Sequence, residues 1–215
     1  MNTVKIFPSL ISGDLLNLAD QIKKLEPHCD GFHIDVMDFH FVPNLTWGPA
    51  HVNAIRSVTE KQIWVDLLVD KPDHYLDRMA LKSGDIVSVH YESTYPNEIF
   101  NTIKNKGWCA SLALDPKTPL EAIEPFMGEI DHVLLMSVIP GFSGQAFIPA
   151  SIERIKKLNE LRTKAGAQFT IGMDGGLDEQ TLPQVADYGL DTAGIASGIF
   201  NQPNPVEAIK KLKGV

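Results

Sequence analysis

His33-Ile34-Asp35 is an alternating triplet, and on a strand its two polar side chains point to the same face. Such a pair suits metal ligation or proton transfer, although His-x-Asp alone is also the pattern of a surface ion pair. Polar residues end other β-rich runs in the same way: Ser9, Asp66, His90 with Glu92, Ser137, Asp174 and Ser197. Ordinary helix caps follow strands too, but so many polar strand ends on one rim point to a functional site. Pro140-Gly141-Phe142-Ser143-Gly144-Gln145, Gly175-Gly176 and Ser197-Gly198 form a second set. Their small residues let backbone N–H groups approach a phosphate closely, and turns without a ligand use the same glycines.

The elements that must position these residues alternate from end to end. Strands are predicted at Lys5–Leu10, Gly31–Val36, Gln62–Leu68, Ile86–His90, Cys109–Leu114, His132–Val138, Phe169–Asp174 and Thr192–Ala196. Most are near-continuous Val, Ile, Leu or Phe, as parallel strands covered on both faces require. Amphipathic helices are predicted over Leu15–Leu25 and Ile152–Leu161, with Asp14 and Ser151 as N-caps. The pattern predicts an α/β protein, a single-domain (β/α)8 barrel over residues 1–215 with short loops. An open doubly wound sheet gives the same alternation. In a barrel, the polar strand ends share the face on which chemistry takes place.

Composition narrows the function classes. The chain has 215 residues, 44% hydrophobic and 21% charged, which is globular usage. A formal net charge of −8 argues against nucleic-acid binding, which needs Lys and Arg to neutralise phosphates. Neither a membrane span nor a leader is legible, so a cytoplasmic location is expected. Two cysteines, Cys29 and Cys109, are too few for a disulfide framework or a thiolate cluster and read as small buried residues. Trp47, Trp64 and Trp108 read as core or interface residues, with no base-stacking platform.

The run His33-Ile-Asp-Val-Met-Asp-Phe-His-Phe-Val-Pro-Asn44 resembles the signature of the ribulose-phosphate 3-epimerase family. The likeness extends from Phe7-Pro8-Ser9-Leu10 through Met136-Ser137-Val138-Ile139-Pro140-Gly141 and onward to Met173-Asp174-Gly175-Gly176. This resemblance implies a divalent metal (Zn, Fe, Mn or Co) held by two histidines and two aspartates, with the aspartates as acid and base. Carried over, His33, Asp35 and Asp174 match ligand positions, and Asp35 and Asp174 match the proton-transfer pair. Ser9, Met37 and Met136 match substrate-contacting positions, though Ser9 also suits a cap and the methionines suit packing. Gly141, Phe142, Ser143, Gly144, Gly175, Gly176, Ala196 and Ser197 are the expected phosphate-binding residues. The implied reaction is epimerisation at C3 of a ketose phosphate, by default D-ribulose 5-phosphate to D-xylulose 5-phosphate, in the pentose phosphate pathway. A homo-oligomer is also implied.

This sequence departs from the family pattern at several positions. Asp66 stands where the second ligand histidine is expected, in Asp66-Leu67-Leu68-Val69-Asp70-Lys71-Pro72. If it faces the metal, it adds a negative charge and favours harder ions such as Mn2+ or Mg2+; being shorter, it could also fall short of direct ligation. Ile139, Ser143, Ile195 and Phe39 replace polar or small family residues, with Ile195 expected to obstruct the phosphate and Phe39 to crowd the metal rim. His90 and Glu92 read as a structural polar pair. The alternatives are a divergent paralogue acting on another ketose phosphate, such as a hexulose 6-phosphate, and a metal-free sugar-phosphate-binding barrel.

Overall fold

In the computed structural model, which describes residues 4–214, every predicted strand is present. They are β1 Lys5–Pro8, β2 Gly31–Met37, β3 Gln62–Leu68, β4 Ile86–His90, β5 Cys109–Leu114, β6 His132–Met136, β7 Thr170–Asp174 and β8 Thr192–Ile195. All pair in parallel, in the order β1-β8-β7-β6-β5-β4-β3-β2. Between β1 and β2 the ladder is reduced to one parallel bridge, Ser9 to His33, which closes the ring. The fold is therefore a (β/α)8 barrel, and the open-sheet alternative falls away.

Helices α1 Leu18–Leu25, α2 Pro49–Arg56, α3 Asp73–Leu76, α4 Ile99–Asn105, α5 Ala150–Ala165, α6 Leu182–Ala186, α7 Ser197–Phe200 and α8 Pro205–Leu212 follow in turn. A 3-10 segment, Leu120–Phe126, takes the place of a helix after β5. Outward-facing strand residues such as Ile6, Ile34, Val65, Val87, Leu112, Leu135 and Ile171 merge with Ile22, Val52, Ile103, Ile155 and Ile209 of the helices into one apolar layer. Inward-facing Phe7, Trp64, Ile86, Ala113, Leu134 and Met136 form a second, smaller cluster inside the barrel. Both faces of each strand are thus covered, and the strands are almost wholly buried.

Helix entry differs from the prediction in two places. α1 begins at Leu18, so only Leu18, Ile22 and Leu25 face the core, while Leu15 and Leu16 are exposed in the preceding loop. Asp14 instead accepts hydrogen bonds from the Leu16 amide and the Asn17 side chain, making a turn before the helix. α5 begins one residue before Ser151, which lies inside its first turn with a buried, unpartnered hydroxyl. Cys29 is buried and Cys109 half-buried, and desolvation pushes both thiols up to about 12. Trp64 is fully buried, and Trp108 nearly so.

The end of the barrel at the strand starts is held by a recurring device. Asp30, Asp85, Asp131 and Asp191 accept the backbone N–H of Ile6, Ile63, Ala110 and Ile171 at 2.8–3.0 Å. Asp85 also pairs with the buried guanidinium of Arg56 at 3.1 Å. That end secures the fold and leaves the opposite rim free for chemistry.

Candidate active site

Alternation along the strands sends one residue in two into the barrel. At the C-terminal rim those residues meet in a cavity enclosing about 490 Å³ of space not filled by atoms. Ser9, Asp35, Met37, Met136 and Asp174 line it, together with Gly141, Phe142, Ser143, Gly144, Gly175, Gly176, Ala196 and Ser197. His33 and Asp66 lie beneath the floor, fully buried. Among the described residues, the cavity wall carries two carboxylates and no basic side chain.

β2 and β3 place Asp35, which lines the cavity, directly beside the buried Asp66 in register. One ligand-type atom from each of His33, Asp35 and Asp66 lies within 4.8 Å of the others. Asp66 therefore reaches the group despite its short side chain. His33 Nδ1 is 3.3 Å from Asp35 Oδ2, which also accepts the Ser9 hydroxyl at 2.6 Å. His33 Nε2 and Asp66 Oδ1 are buried with no hydrogen-bond partner. Orphaned buried polar atoms are costly, and here a nitrogen and an oxygen are orphaned together. Burial disfavours the His33 imidazolium, yet Asp35, Asp174 and Asp66 outweigh it and raise the group to about 9. The arrangement is one that could hold a metal ion.

Asp174 ends β7, separated from β2 around the ring by β1 and β8, and it stands outside that three-residue group. A Cβ on Gly194 would lie 2.8 Å from Asp174 Oδ1, so β8 must carry glycine for the carboxylate to fit. Burial, with the charges of Asp35 and Asp66 added, raises Asp174 to about 7 although His33 pulls the other way. Asp35 moves in the opposite direction: burial opposes ionisation, but His33 and the Ser9 hydrogen bond more than offset it and lower its pKa. Two carboxylates on one cavity thus hold protons with different strength.

The far end of the cavity is built from loops. Gly175 and Gly176 adopt φ of 112° and 66°, and a Cβ on either would strike Val138 or Phe147 at 2.5 Å, so only glycine fits. The β6 loop is tied down by Asn44 Nδ2 donating to Gly141 O at 2.7 Å and by Ser12 Oγ donating to Ser143 Oγ at 3.0 Å. Gln145 donates to Ile139 O and Phe142 O across that loop. Two expected obstructions are not found. Ile195 turns outward into the apolar layer, and Phe39 is 65% exposed, with neither lining the cavity. Ser137 lies just below, its hydroxyl donating to Asp174 O and Gly175 O. Leu68, Val138 and Leu177 also line the cavity. Leu68 was legible as the inward residue two positions after Asp66, whereas Leu177 sits on a loop and carries no periodic signal.

A sequence model of the ribulose-phosphate 3 epimerase family matches residues 5–200. The chain belongs to that family. Its relatives include the ribulose-phosphate 3-epimerase of Bacillus subtilis, 37% identical over 98% of this chain and 99% of that protein. The ribulose-phosphate 3-epimerase of Methanocaldococcus jannaschii is 37% identical over 98% of this chain and 90% of its own. Among solved structures, KGPDC from Streptococcus mutans overlays with a TM-score of 0.70 at 15% identity, covering 99% of this chain and 97% of that one, a likeness of fold alone. The divalent ion implied for a member of the ribulose-phosphate 3-epimerase family fits the residues present. His33 Nε2 and Asp66 Oδ1 are the unpartnered buried donors that such an ion needs.

Proposed function

We propose that this barrel interconverts D-ribulose 5-phosphate and D-xylulose 5-phosphate by moving the proton on C3. The observation that carries the reading is that Asp35 of β2 and Asp174 of β7, separated by two strands around the ring, line one cavity. Inversion needs a base on one face of the carbon and an acid on the other, and two carboxylates in unlike surroundings supply both near neutral pH. The names of the family's members support the choice of substrate.

With the substrate's phosphate among the glycine loops, C3 sits toward Asp35 and Asp174. The phosphate belongs at that end because the two carboxylates repel it from the other. It meets backbone N–H groups there, including those that open α7 at Ser197. Asp35, ionised and fixed by Ser9, takes the C3 proton. Asp174, whose proton affinity is raised by burial and by Asp35 and Asp66 nearby, delivers a proton to the opposite face; in the reverse direction the roles exchange. A divalent ion held by His33, Asp35, Asp66 and Asp174 would stabilise the negative charge of the enediolate. Met37 and Met136 shape an apolar wall that keeps water from the carbanionic centre.

The test is turnover of D-ribulose 5-phosphate by the purified protein across added divalent ions. Wild type is expected to epimerise it, and Asp35→Asn or Asp174→Asn to lose about 10²–10⁴-fold in kcat. Asp174→Asn should still exchange the C3 hydrogen with deuterium from solvent, because Asp35 remains. Absence of wild-type turnover with every ion would overturn the reading.

A further inference from the structure

A second cluster lies beside the first, where β4 and β5 end. His90 is fully buried, and its Nε2 lies 3.2 Å from Asp66 Oδ1. Its other nitrogen, Nδ1, faces away from the catalytic cavity, 3.4 Å from Asp115 Oδ1 and 3.8 Å from Glu92 Oε2. Neither approach has hydrogen-bond geometry, and Nδ1 and Asp115 Oδ1 are both buried without a partner. Nδ1 and Asp115 Oδ1 thus stand 3.4 Å apart, each without a partner, where an ion beside them would satisfy both.

The surroundings hold that convergence in place. Glu92 Oε1 accepts from the Asp115 amide and from the Thr118 hydroxyl, leaving Oε2 turned toward His90. Arg154 donates to Asp115 O and Thr118 O, fixing the loop after β5, and its charge offsets part of the acidic pair. The Phe41 ring covers the imidazole at 5.0 Å between centroids. Glu92 lies at the surface and puts one edge of the cluster there.

We propose that His90 Nδ1, Glu92 and Asp115 form a second divalent-cation site, distinct from the one under the catalytic cavity. One imidazole and two carboxylates make a donor set suited to Zn2+ or Mn2+. Bonds of about 2.1 Å in a tetrahedron separate ligand atoms by roughly 3.4 Å, close to the 3.4 and 3.8 Å seen here. When Nδ1 binds the ion, Nε2–H donates to Asp66, the carboxylate–histidine–metal arrangement that orients a ligand ring. Asp66 then joins the two sites, so filling the outer one fixes a carboxylate of the inner one. This explains three carboxylates gathered around one buried imidazole.

The test is equilibrium dialysis of chelator-stripped protein against micromolar Zn2+, with elemental analysis and thermal melts of each stripped variant to confirm folding. Wild type should hold two zinc ions per chain. Glu92→Gln, whose Oε1 keeps both hydrogen bonds, should retain one and bind the other about tenfold or more weakly. Asp115→Asn should do the same. His33→Gln should lose the inner ion and keep the outer one, so the failure of either site reads in its own variant. Equal zinc content in wild type, Glu92→Gln and Asp115→Asn would overturn the proposal and leave His90 as an imidazolium paired with its carboxylates.

Discussion

Asp66 shows how one side chain sets the character of a site. It replaces an imidazole with a charge, yet its register beside Asp35 brings it within reach of His33, and His90 stands behind it. A group of one imidazole and two carboxylates, His33 with Asp35 and Asp66, favours harder ions than one with a second imidazole in place of Asp66. Asp66→His is therefore expected to shift ion preference from Mn2+ toward Zn2+ by about tenfold or more, measured by competition dialysis. An unchanged ratio would mean that Asp66 does not choose the ion. Phe39 supplies a second case. Its φ of 63° is unfavourable for any residue with a Cβ, and its ring is largely exposed, so little packing offsets the strain. Phe39→Gly is expected to leave stability unchanged or raise it by up to about 1 kcal/mol in urea melts. A clear loss would show that the ring makes contacts worth more than the strain.

At the scale of the element, a strand here does two jobs with two faces. β3 sends Trp64, Asp66 and Leu68 inward and Ile63, Val65 and Leu67 outward, so one seven-residue run feeds both the site and the core. The aspartates at the strand starts then lock neighbouring strands in register. Asp85 is the most committed of them, bonding the Ile63 and Lys82 amides and the Arg56 guanidinium. Asp85→Ala would leave a buried arginine with no countercharge, and a loss of about 3–5 kcal/mol is expected from denaturant unfolding. A loss under about 1 kcal/mol would mean that solvent reaches Arg56. The strands themselves were legible because runs of Val, Ile and Leu between helical stretches fit only covered parallel strands. Their helices were less so. Leu15 matched the helical period of Leu18 and Ile22, but Asp14 and Asn17 close a turn on their own side chains and delay α1.

Across the whole molecule, the barrel interior is polar in a place no single segment announces. Trp64 Nε1 donates to Ser88 Oγ and Ser88 to Ser111, whose Oγ lies 2.7 Å from His132 Nδ1, with His132 Nε2 2.9 Å from Thr192 Oγ1. Five strands contribute, and no carboxylate stands among these partners of His132. Burial, aided by the charge of His33, lowers its pKa to about 3 from an ordinary 6.5. In the unfolded chain His132 gains a proton below about 6.5, while the folded protein resists until about 3, so its contribution is complete above 6.5 and lost as pH falls between the two. The steepest loss is about 1.4 kcal/mol per pH unit. His132→Gln should lower stability at neutral pH and flatten its decline in acid, read from urea melts across that range. An unflattened decline would place the proton elsewhere.

The amino-acid sequence by itself determined the alternation of strand and helix, the inward phase of His33, Asp35, Asp66 and Asp174, and the glycines that form the loops. These follow from local backbone preference and from hydrophobic period, which act over a few residues. Only the tertiary structure decided which polar residues share a neighbour. Closure of the ring brings Asp174 to the cavity that Asp35 lines and leaves Gly194 beside it. It also turns Ile195 away from the phosphate end and sets His90 between Asp66 on one side and Asp115 and Glu92 on the other. Side-chain period states which face a residue takes, but shear and curvature of the closed sheet state what it meets there, and those depend on all eight strands at once.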